Sequence, residues 1–294
     1  MQMPTDQKTD LAWAVEAQLG EGPVWVQADR ALWFTDIKRK QVHRYDPASG
    51  NRSSWDAPEQ IGFVLPAEGS GFVAGLQSGL HRFDPGAGSF ELIARIDADR
   101  PGNRLNDATV APDGRLWFGT MDDGEGQPSG SFYSFKDGRL MPSGIGGIAI
   151  TNGPAISPDG TLLYWVDTRG GGIFKSPILA DGAVGESELL IQIPPDEGNP
   201  DGPSVDSDGC IWVGLYGGWQ ARRYSPAGEL LHTQQFPVAN ITKIALGGPD
   251  LRTAFATTAR QKLSPQDLEM QPDAGGLFSF QVEVPGSPSP LVKL

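Results

Sequence analysis

A phrase that returns three times with one internal spacing constrains this chain more than any other feature. In each copy an amide or carboxylate side chain stands seven residues before an Asp-Gly pair, and an apolar stretch with aromatic residues follows. The copies are Asn106 with Asp113-Gly114, Asn152 with Asp159-Gly160, and Asp201 with Asp208-Gly209. A fixed spacing at intervals of 46 and 49 residues is typical of a repeat architecture, in which each copy is one supersecondary unit.

A weaker copy occurs near the start of the chain. Glu21 leads an apolar stretch that ends in a turn at residues 28–30, and Leu32-Trp33-Phe34 follows the turn. Glu21, Asn106, Asn152 and Asp201 therefore occupy one equivalent place in the repeat. In a closed ring of repeats, four such oxygen-bearing side chains would converge on one point, and this convergence is the main functional hypothesis.

A second repeated phrase gives the number of units. It alternates apolar and polar residues and ends in a polar turn, as expected of a half-exposed strand near a sheet's outer edge. Its six occurrences are Val42–Pro47, Leu80–Pro85, Phe132–Phe135, Ile173–Pro177, Ala221–Pro226 and Leu277–Phe280. With 39 Gly, 25 Pro and no long helical periodicity, the sequence predicts an all-β, six-bladed β-propeller of four-stranded antiparallel blades. The approximate blades are 19–58, 59–98, 99–142, 143–194, 195–236 and 237–283.

The N-terminal residues fall outside this repeat. Leu11 to Ala17 form a strand-like stretch, which we expect to pair with the last blade and to close the ring, since closure removes an exposed sheet edge. Residues 1–10 are predicted to form a flexible tail. No linker divides the remainder, so residues 11–294 are predicted to form a single domain.

Charge and composition narrow the possible partners. A net charge of −13 and a pI near 4.6 argue against nucleic acid or an anionic membrane, because both bind clustered Lys and Arg. No apolar run approaches the roughly 18 residues of a bilayer span, so we expect a soluble, cytoplasmic protein with a small-molecule ligand. A monomer is compatible with the sequence, which does not fix the oligomeric state. Cys210, the one cysteine, excludes a disulfide within the chain and is interpreted as a buried thiol.

The converging residues have the chemistry of a cation site. Two carboxylates and two amides offer hard oxygen ligands with a formal charge of −2, which suits one divalent ion such as Ca²⁺, Mg²⁺ or Mn²⁺; Zn²⁺ and Fe²⁺ stay open. A metal with open positions could polarise a carbonyl and acidify a water, which indicates hydrolysis. Any single Asn or Asp before Gly is more often a turn residue, and Asp113, Asp159 and Asp208 are interpreted as such.

Two further polar residues are candidates for substrate binding. Arg104 stands two residues before Asn106 and should project to the same face of its strand, where a guanidinium could bind ligand oxygens; a solvated Arg is the alternative. Asp123 lies in the acidic stretch 121–125, and a solvated loop is its alternative. Trp219 is retained as a possible pocket wall.

No Ser-His-Asp triad is supported. His43 and His81 recur at one place in the repeat, which favours structural roles, and His232 is an equally poor catalytic candidate.

Several phrases together resemble the regucalcin (senescence marker protein) and gluconolactonase family of six-bladed propellers over nearly the whole chain. They are Gly20–Trp25, Arg104–Asp107, Phe118–Met121, Asn152-Gly153, Asp201-Gly202 and Ala274–Phe278. The resemblance implies that Glu21, Asn152 and Asp201 are metal ligands, with Asp201 also the general base. It implies that Arg104 and Asn106 contact substrate.

The resemblance also implies a reaction. Family members that act on sugar lactones open aldonolactones, such as glucono- or xylonolactone, to aldonic acids. The divalent cation would polarise the ring carbonyl while Asp201 takes a proton from water. In regucalcin a substrate-contacting Glu follows the Gly-Thr-Met phrase; here Gly124 stands there, between Asp123 and Glu125. An organophosphate or ester hydrolase of the same propeller type and a non-enzymatic Ca²⁺-binding propeller are the alternatives.

Overall fold

Short antiparallel strands make up almost all of the computed structural model, which describes residues 8–69 and 71–294. Sixteen of the strands form four separate four-stranded sheets, each built from consecutive strands. The first is Gly20–Val26 (β2), Ala31–Asp36 (β3), Gln41–Tyr45 (β4) and Arg52–Asp56 (β5). The second is Ile61–Pro66 (β6), Phe72–Leu76 (β7), Gly79–Asp84 (β8) and Ser89–Arg95 (β9).

The other two separate sheets follow directly along the chain. One is Asn103–Val110 (β10), Leu116–Asp122 (β11), Gly130–Lys136 (β12) and Arg139–Ile148 (β13). The other is Thr151–Ile156 (β14), Leu162–Asp167 (β15), Gly172–Pro177 (β16) and Glu188–Gln192 (β17). In all four sheets the first strand contacts the first strands of neighbouring sheets, so the first strands lie innermost.

The remaining eight strands are Asp10–Trp13 (β1), Asn199–Val205 (β18), Ile211–Tyr216 (β19), Gln220–Tyr224 (β20), Leu230–Gln235 (β21), Ile241–Gly247 (β22), Thr253–Thr258 (β23) and Leu277–Gln281 (β24). They form one sheet in the order β1-β24-β23-β22-β18-β19-β20-β21. Gly202 of β18 faces Lys243 of β22 in the one parallel pair that joins the two halves. At the far edge β1 pairs antiparallel with β24, and Leu11 faces Phe278.

The all-β, propeller-like arrangement predicted from the repeats is confirmed, but six separate sheets are not found. The third predicted unit ends too early, at residue 142, because β13 continues to Ile148 through two register shifts against β12. Of the predicted tail, residues 1–7 lie outside the described residues, and β1 already begins at Asp10.

Helices are short and few among the described residues. A single 3-10 turn covers Pro195–Glu197, and one α-helix, Pro265–Met270 (α1), begins at a Ser264 capping box. Neither has the length and apolar character that crossing a bilayer requires, within the part of the chain described.

Burial falls from the inner to the outer strands, which explains the sequence pattern. β2, β6 and β14 are buried along their whole length, whereas β5 is almost entirely exposed. Apolar side chains of adjacent sheets form the core between them. Gly62 lets two inner strands approach closely, since a Cβ there would stand 2.2 Å from the Asn106 carbonyl oxygen.

The segment after β24 runs across one end of the ring of inner strands. Ser207 donates its backbone N–H to Pro285 O at 2.9 Å, and Val292 donates to Pro66 O at 2.9 Å. Lys293 N then donates to Gly114 O at 2.9 Å. Residues 285–293 therefore connect the eight-stranded sheet with the second and third sheets.

Candidate active site

The inner strands surround two cavities at opposite ends. Residues early in β2, β10, β14 and β18 line a cavity of about 490 Å³, and later residues of the same strands line another of about 330 Å³. The larger cavity holds five of the six predicted site residues: Glu21, Arg104, Asn106, Asn152 and Asp201. All five are buried, with 2–5% of their surface exposed.

A local irregularity of the inner strands brings these side chains together. The pairing of these four inner strands with their neighbours shifts register at the site residue: just after Glu21 in β2 and Asn152 in β14, and across Asn106 in β10 and Asp201 in β18. Such bulges redirect a side chain, here toward the ring's axis. Gly22 and Gly153 follow the site residues with φ of 54° and 77°, a conformation that favours glycine.

A chain of hydrogen bonds fixes the amide side of the cavity. Arg104 Nη1 donates to Asn106 Oδ1 at 2.6 Å, which confirms the predicted common face of these two residues. Asn106 Nδ2 donates to Asn152 Oδ1 at 3.1 Å, and Asn152 Nδ2 donates to Thr168 Oγ1 at 2.8 Å. The guanidinium and both amides are thus held in a fixed arrangement before any ligand binds.

The acidic side of the cavity holds two buried carboxylates, Glu21 and Asp201, whose pKa values are both raised. Burial, followed by the Asp107 carboxylate, raises the pKa of Glu21 from 4.5 to about 8. Burial, followed by the Glu21 and Asp107 carboxylates, raises the pKa of Asp201 well above its usual value. Among the described residues Asp201 Oδ1 is buried without a hydrogen-bond donor. A buried carboxylate oxygen with no donor is costly unless something binds it.

This donor set fits a divalent cation. Two carboxylates and the Asn152 amide supply hard oxygen, and a cation's charge would offset the burial and the neighbouring carboxylates that raise both pKa values. The described residues contain no group of three or more His, Cys, Asp or Glu side chains placed to hold a metal. Glu21, Asn152 and Asp201 would be the residues that hold such an ion.

Asp123, the sixth predicted residue, lies behind Arg104 and is not among the described residues that line the cavity. Its Oδ1 accepts from Arg104 Nε at 2.8 Å and from Lys38 Nζ at 2.5 Å, and its Oδ2 accepts from Gln60 Nε2 at 3.0 Å. Partial burial opposes ionisation, but the hydrogen bonds from Lys38 and Gln60 and the Arg104 charge lower the pKa of Asp123 to about 2. Direct substrate contact by Asp123 stays a prediction.

An ion pair between Lys243 and Asp107, which the repeats do not predict, lies below the site. Lys243 Nζ donates to Asp107 Oδ1 and Oδ2 at 2.6 and 2.7 Å, and the two side chains are 7% and 0% exposed. Two signals were available: Asp107 directly follows Asn106, and Lys243 is the one charged residue in the apolar stretch of β22.

The loop between β11 and β12 lies at the mouth of the cavity. Glu125 lines the cavity, and its carboxylate accepts from Lys262 Nζ and from Gln261 Nε2. Arg169 Nη1 donates to the Glu125 carbonyl oxygen at 2.7 Å. Residues from two other sheets therefore hold this loop in place.

The remaining sequence candidates lie elsewhere in the described residues. Trp219 is 42% exposed and does not line the cavity. His43 packs edge-to-face against Trp13, and burial lowers its pKa to about 4. None of the three histidines lines the cavity. Asp113 and Asp159 each accept a backbone N–H within their own turn.

Comparison with known proteins links this geometry to a group of relatives. The family model described as "SMP-30/Gluconolactonase/LRE-like region" matches residues 19–260. A 6-deoxy-6-sulfogluconolactonase from Pseudomonas putida is 34% identical over 93% of this chain and 94% of its own length. An L-arabinolactonase from Azospirillum brasilense is 32% identical over 96% of this chain and 94% of its own. The crystal structure of regucalcin, a calcium-binding protein from Agrobacterium tumefaciens, superposes with a TM-score of 0.95 at 29% identity and covers both chains fully.

Proposed function

Because this chain belongs to the SMP-30/gluconolactonase/LRE-like family, we propose that it is a metal-dependent hydrolase that opens a sugar lactone to the aldonic acid. Two relatives that cover nearly the whole chain carry the names of sugar lactonases, a sulfogluconolactonase and an arabinolactonase. Their names differ in the sugar, so the ring carbonyl and its ester oxygen are the shared chemistry.

The observation that carries the proposal is the pair of buried carboxylates beside fixed amides. Burial raises the pKa of both Glu21 and Asp201, the Glu21 carboxylate raises that of Asp201 further, and both line a cavity large enough for a sugar lactone, together with Asn152. These three residues are proposed to hold one divalent cation, which when bound stabilises negative charge on the carbonyl oxygen. Ca²⁺, Mg²⁺, Mn²⁺, Zn²⁺ and Fe²⁺ are the candidates.

The remaining groups of the cavity orient the sugar. Arg104 and Asn106 are proposed to bind its hydroxyl oxygens, because both line the cavity and are fixed by hydrogen bonds to each other and to Thr151. Asp123 is proposed to contribute to substrate binding by holding Arg104 in place, since its Oδ1 accepts from Arg104 Nε at 2.8 Å.

The proton transfer is assigned to Asp201. Its carboxylate takes a proton from the water that attacks the carbonyl carbon, the ring C–O bond breaks, and the proton passes to the departing ring oxygen. A base must be ionised, and at Asp201 burial and neighbouring carboxylates oppose ionisation. Asp201 can therefore serve as base only when a positive charge lies beside it.

The test compares metal-stripped and cation-supplemented protein on a panel of aldonolactones. We expect no turnover without added cation, and a loss of at least about 10³-fold in kcat for Asp201→Asn with folding intact. Glu229→Gln, an exposed carboxylate, is the control. Full activity of Asp201→Asn and Glu21→Gln on every lactone would refute the proposal.

A non-enzymatic calcium-binding protein is the second candidate, favoured by the calcium-binding regucalcin that superposes over the full chain. Cation binding without turnover on any lactone would support it. An organophosphate or ester hydrolase would instead hydrolyse a fluorophosphate faster than any lactone.

We also propose that the ring has six blades. The eight-stranded sheet would count as two blades, β18–β21 and β22–β24 with β1, because one parallel residue pair joins its halves. The β1–β24 pairing would then close the ring.

A further inference from the structure

The buried Lys243–Asp107 ion pair spans the interior of the ring. Asp107 lies on β10 and Lys243 on β22, and 136 residues separate them. Both Asp107 oxygens accept from the ammonium, and they also accept from the Ala108 and Gly153 amides at 2.8 and 3.0 Å. The carboxylate is thus fully bonded and fixed in place.

The pair separates the two cavities. Residues before Asp107 in β10 line the larger cavity, whereas Ala108 and Lys243 line the smaller one at the opposite end. Gly202, directly after Asp201, makes room for the lysine, since a Cβ there would stand 2.8 Å from Lys243 Cδ. The lysine stem therefore lies against the backbone that carries Asp201.

Both charges act on the two site carboxylates. Asp107 accepts from the Gly153 amide, which directly follows Asn152, and Lys243 lies opposite Gly202, which directly follows Asp201. Both charges therefore lie beside the backbone of proposed cation ligands, in a low-dielectric interior where charges are weakly screened.

We propose that Lys243 and Asp107 are positioning residues of the cation site, whose opposed charges set how strongly Glu21 and Asp201 bind a divalent ion. The inference rests on the proposed cation site and assigns a role to two residues that contact neither substrate nor metal. Lys243 places one positive charge below the site and so weakens cation binding, while Asp107 strengthens it and anchors the lysine.

Substitutions of the two partners should therefore change cation affinity in opposite directions. Lys243→Met leaves Asp107 as a third carboxylate near the site, and the dissociation constant for Ca²⁺ should fall about tenfold or more. Asp107→Asn leaves the ammonium facing Glu21 and Asp201, and the constant should rise by a similar factor. The double variant Lys243→Met/Asp107→Asn removes both charges, and its dissociation constant for Ca²⁺ should be close to that of the wild type.

Titration calorimetry of the metal-stripped full chain with CaCl₂, and separately with MnCl₂, measures these constants without any substrate. Arg223→Met is the matched control, because it breaks another buried pair, with Asp206 at 2.7 Å, outside the cavity. It should lower the melting temperature and leave the dissociation constant unchanged.

If the Lys243–Asp107 pair has only a structural role, the dissociation constants of the variants should follow a different pattern. Both single variants would then bind the cation more weakly than the wild type, or neither would differ from it. Either result overturns the inference, whereas cation binding by the wild-type protein would still support the proposed cation site. If Lys243→Met does not fold, the weaker binding of Asp107→Asn and its recovery in the double variant decide the matter in the same way. Wild-type protein that binds neither cation would overturn both the inference and the proposed site.

Discussion

At the scale of single residues, Glu21 and Asp201 both make the stability of the protein without added cation depend on pH, and Glu21 gives the pH window. Its pKa is raised to about 8, chiefly by burial, so the folded state keeps a proton that the unfolded chain loses near pH 4.5. A raised folded pKa contributes stability that is complete below the unfolded value and is lost as the pH rises through the folded value. The relevant window is therefore about pH 4.5 to 8.

We predict that metal-free protein loses on the order of 3 kcal/mol of unfolding free energy between about pH 5 and pH 8 through this group. Denaturant unfolding across this range measures the loss. Glu21→Gln should make the profile shallower, with Asp201 as the remaining carboxylate of raised pKa, whereas the exposed Glu229→Gln should leave it unchanged. A wild-type profile as flat as that of Glu21→Gln would contradict the assignment.

Asp123 provides a second test at this scale. Asp123→Asn removes the ion pair that orients the buried Arg104, while Asn106 still accepts from the guanidinium. We predict that KM for a sugar lactone rises about tenfold and that kcat changes less than about threefold, because binding is affected rather than proton transfer. Asp113→Asn, in a turn outside the cavity, is the control. A selective fall in kcat would instead place Asp123 in the chemical step.

The sequence identified most of the candidate residues because the repeat places them at equivalent positions. Glu21, Asn106, Asn152 and Asp201 converge on one cavity as predicted. Lys243 could not be found in this way, because its partner Asp107 lies 136 residues away and no repeat spacing links the two.

At the scale of elements, the loop between β11 and β12 lies at the mouth of the cavity and is held there by contacts of Glu125. Glu125 is held by Lys262 and Gln261 from the connection after β23, and by Arg169 from the connection after β15. Lys262 is 58% exposed, so solvent screens the ion pair and its contribution is at most about 1 kcal/mol.

We therefore predict a modest effect of Glu125→Gln. Hydrogen exchange of residues 123–129 should accelerate, and KM should rise no more than about fivefold, since a contribution of this size corresponds to that factor. Lys136→Met, which breaks a pair with Asp113 outside the cavity, is the control. Unchanged exchange in the loop would show that its other contacts suffice.

Strand alternation and turn signals predicted the elements well, but not their irregularities. The bulges of the inner strands give no periodic signal, although the Gly after Glu21 and after Asn152 marks them. The length of β13 was missed for a similar reason, since its register shifts break the alternation on which the prediction relied.

At the scale of the whole molecule, the N-terminal segment joins the last strands to the first sheet. β1 pairs with β24, and the Trp13 ring lies 5.7 Å from Phe34 and 5.3 Å from His43 by centroid. Arg52 stacks on the same indole at 5.5 Å. Trp13 thus connects the last strand, through its pairing with Leu277, to the first sheet, through its ring contacts.

We predict that Trp13→Ala lowers the unfolding free energy by about 2–3 kcal/mol, because a large, half-buried aromatic contact is lost where the two ends of the repeat meet. Thermal and denaturant unfolding measure this. Removal of residues 1–7 is the control, since it leaves β1 intact. A Trp13→Ala variant as stable as this control would mean that the segment does not support the ring.

The position of the Lys243–Asp107 pair between the two cavities also has a kinetic consequence. A ligand in the larger cavity would have this ion pair on its far side, so we expect the ring-opened acid to leave through the mouth by which the lactone enters. Product and fresh substrate then exclude each other. Inhibition by the accumulated aldonate should accordingly be purely competitive in initial-rate plots, and a noncompetitive component would show that the acid and the lactone can bind at the same time.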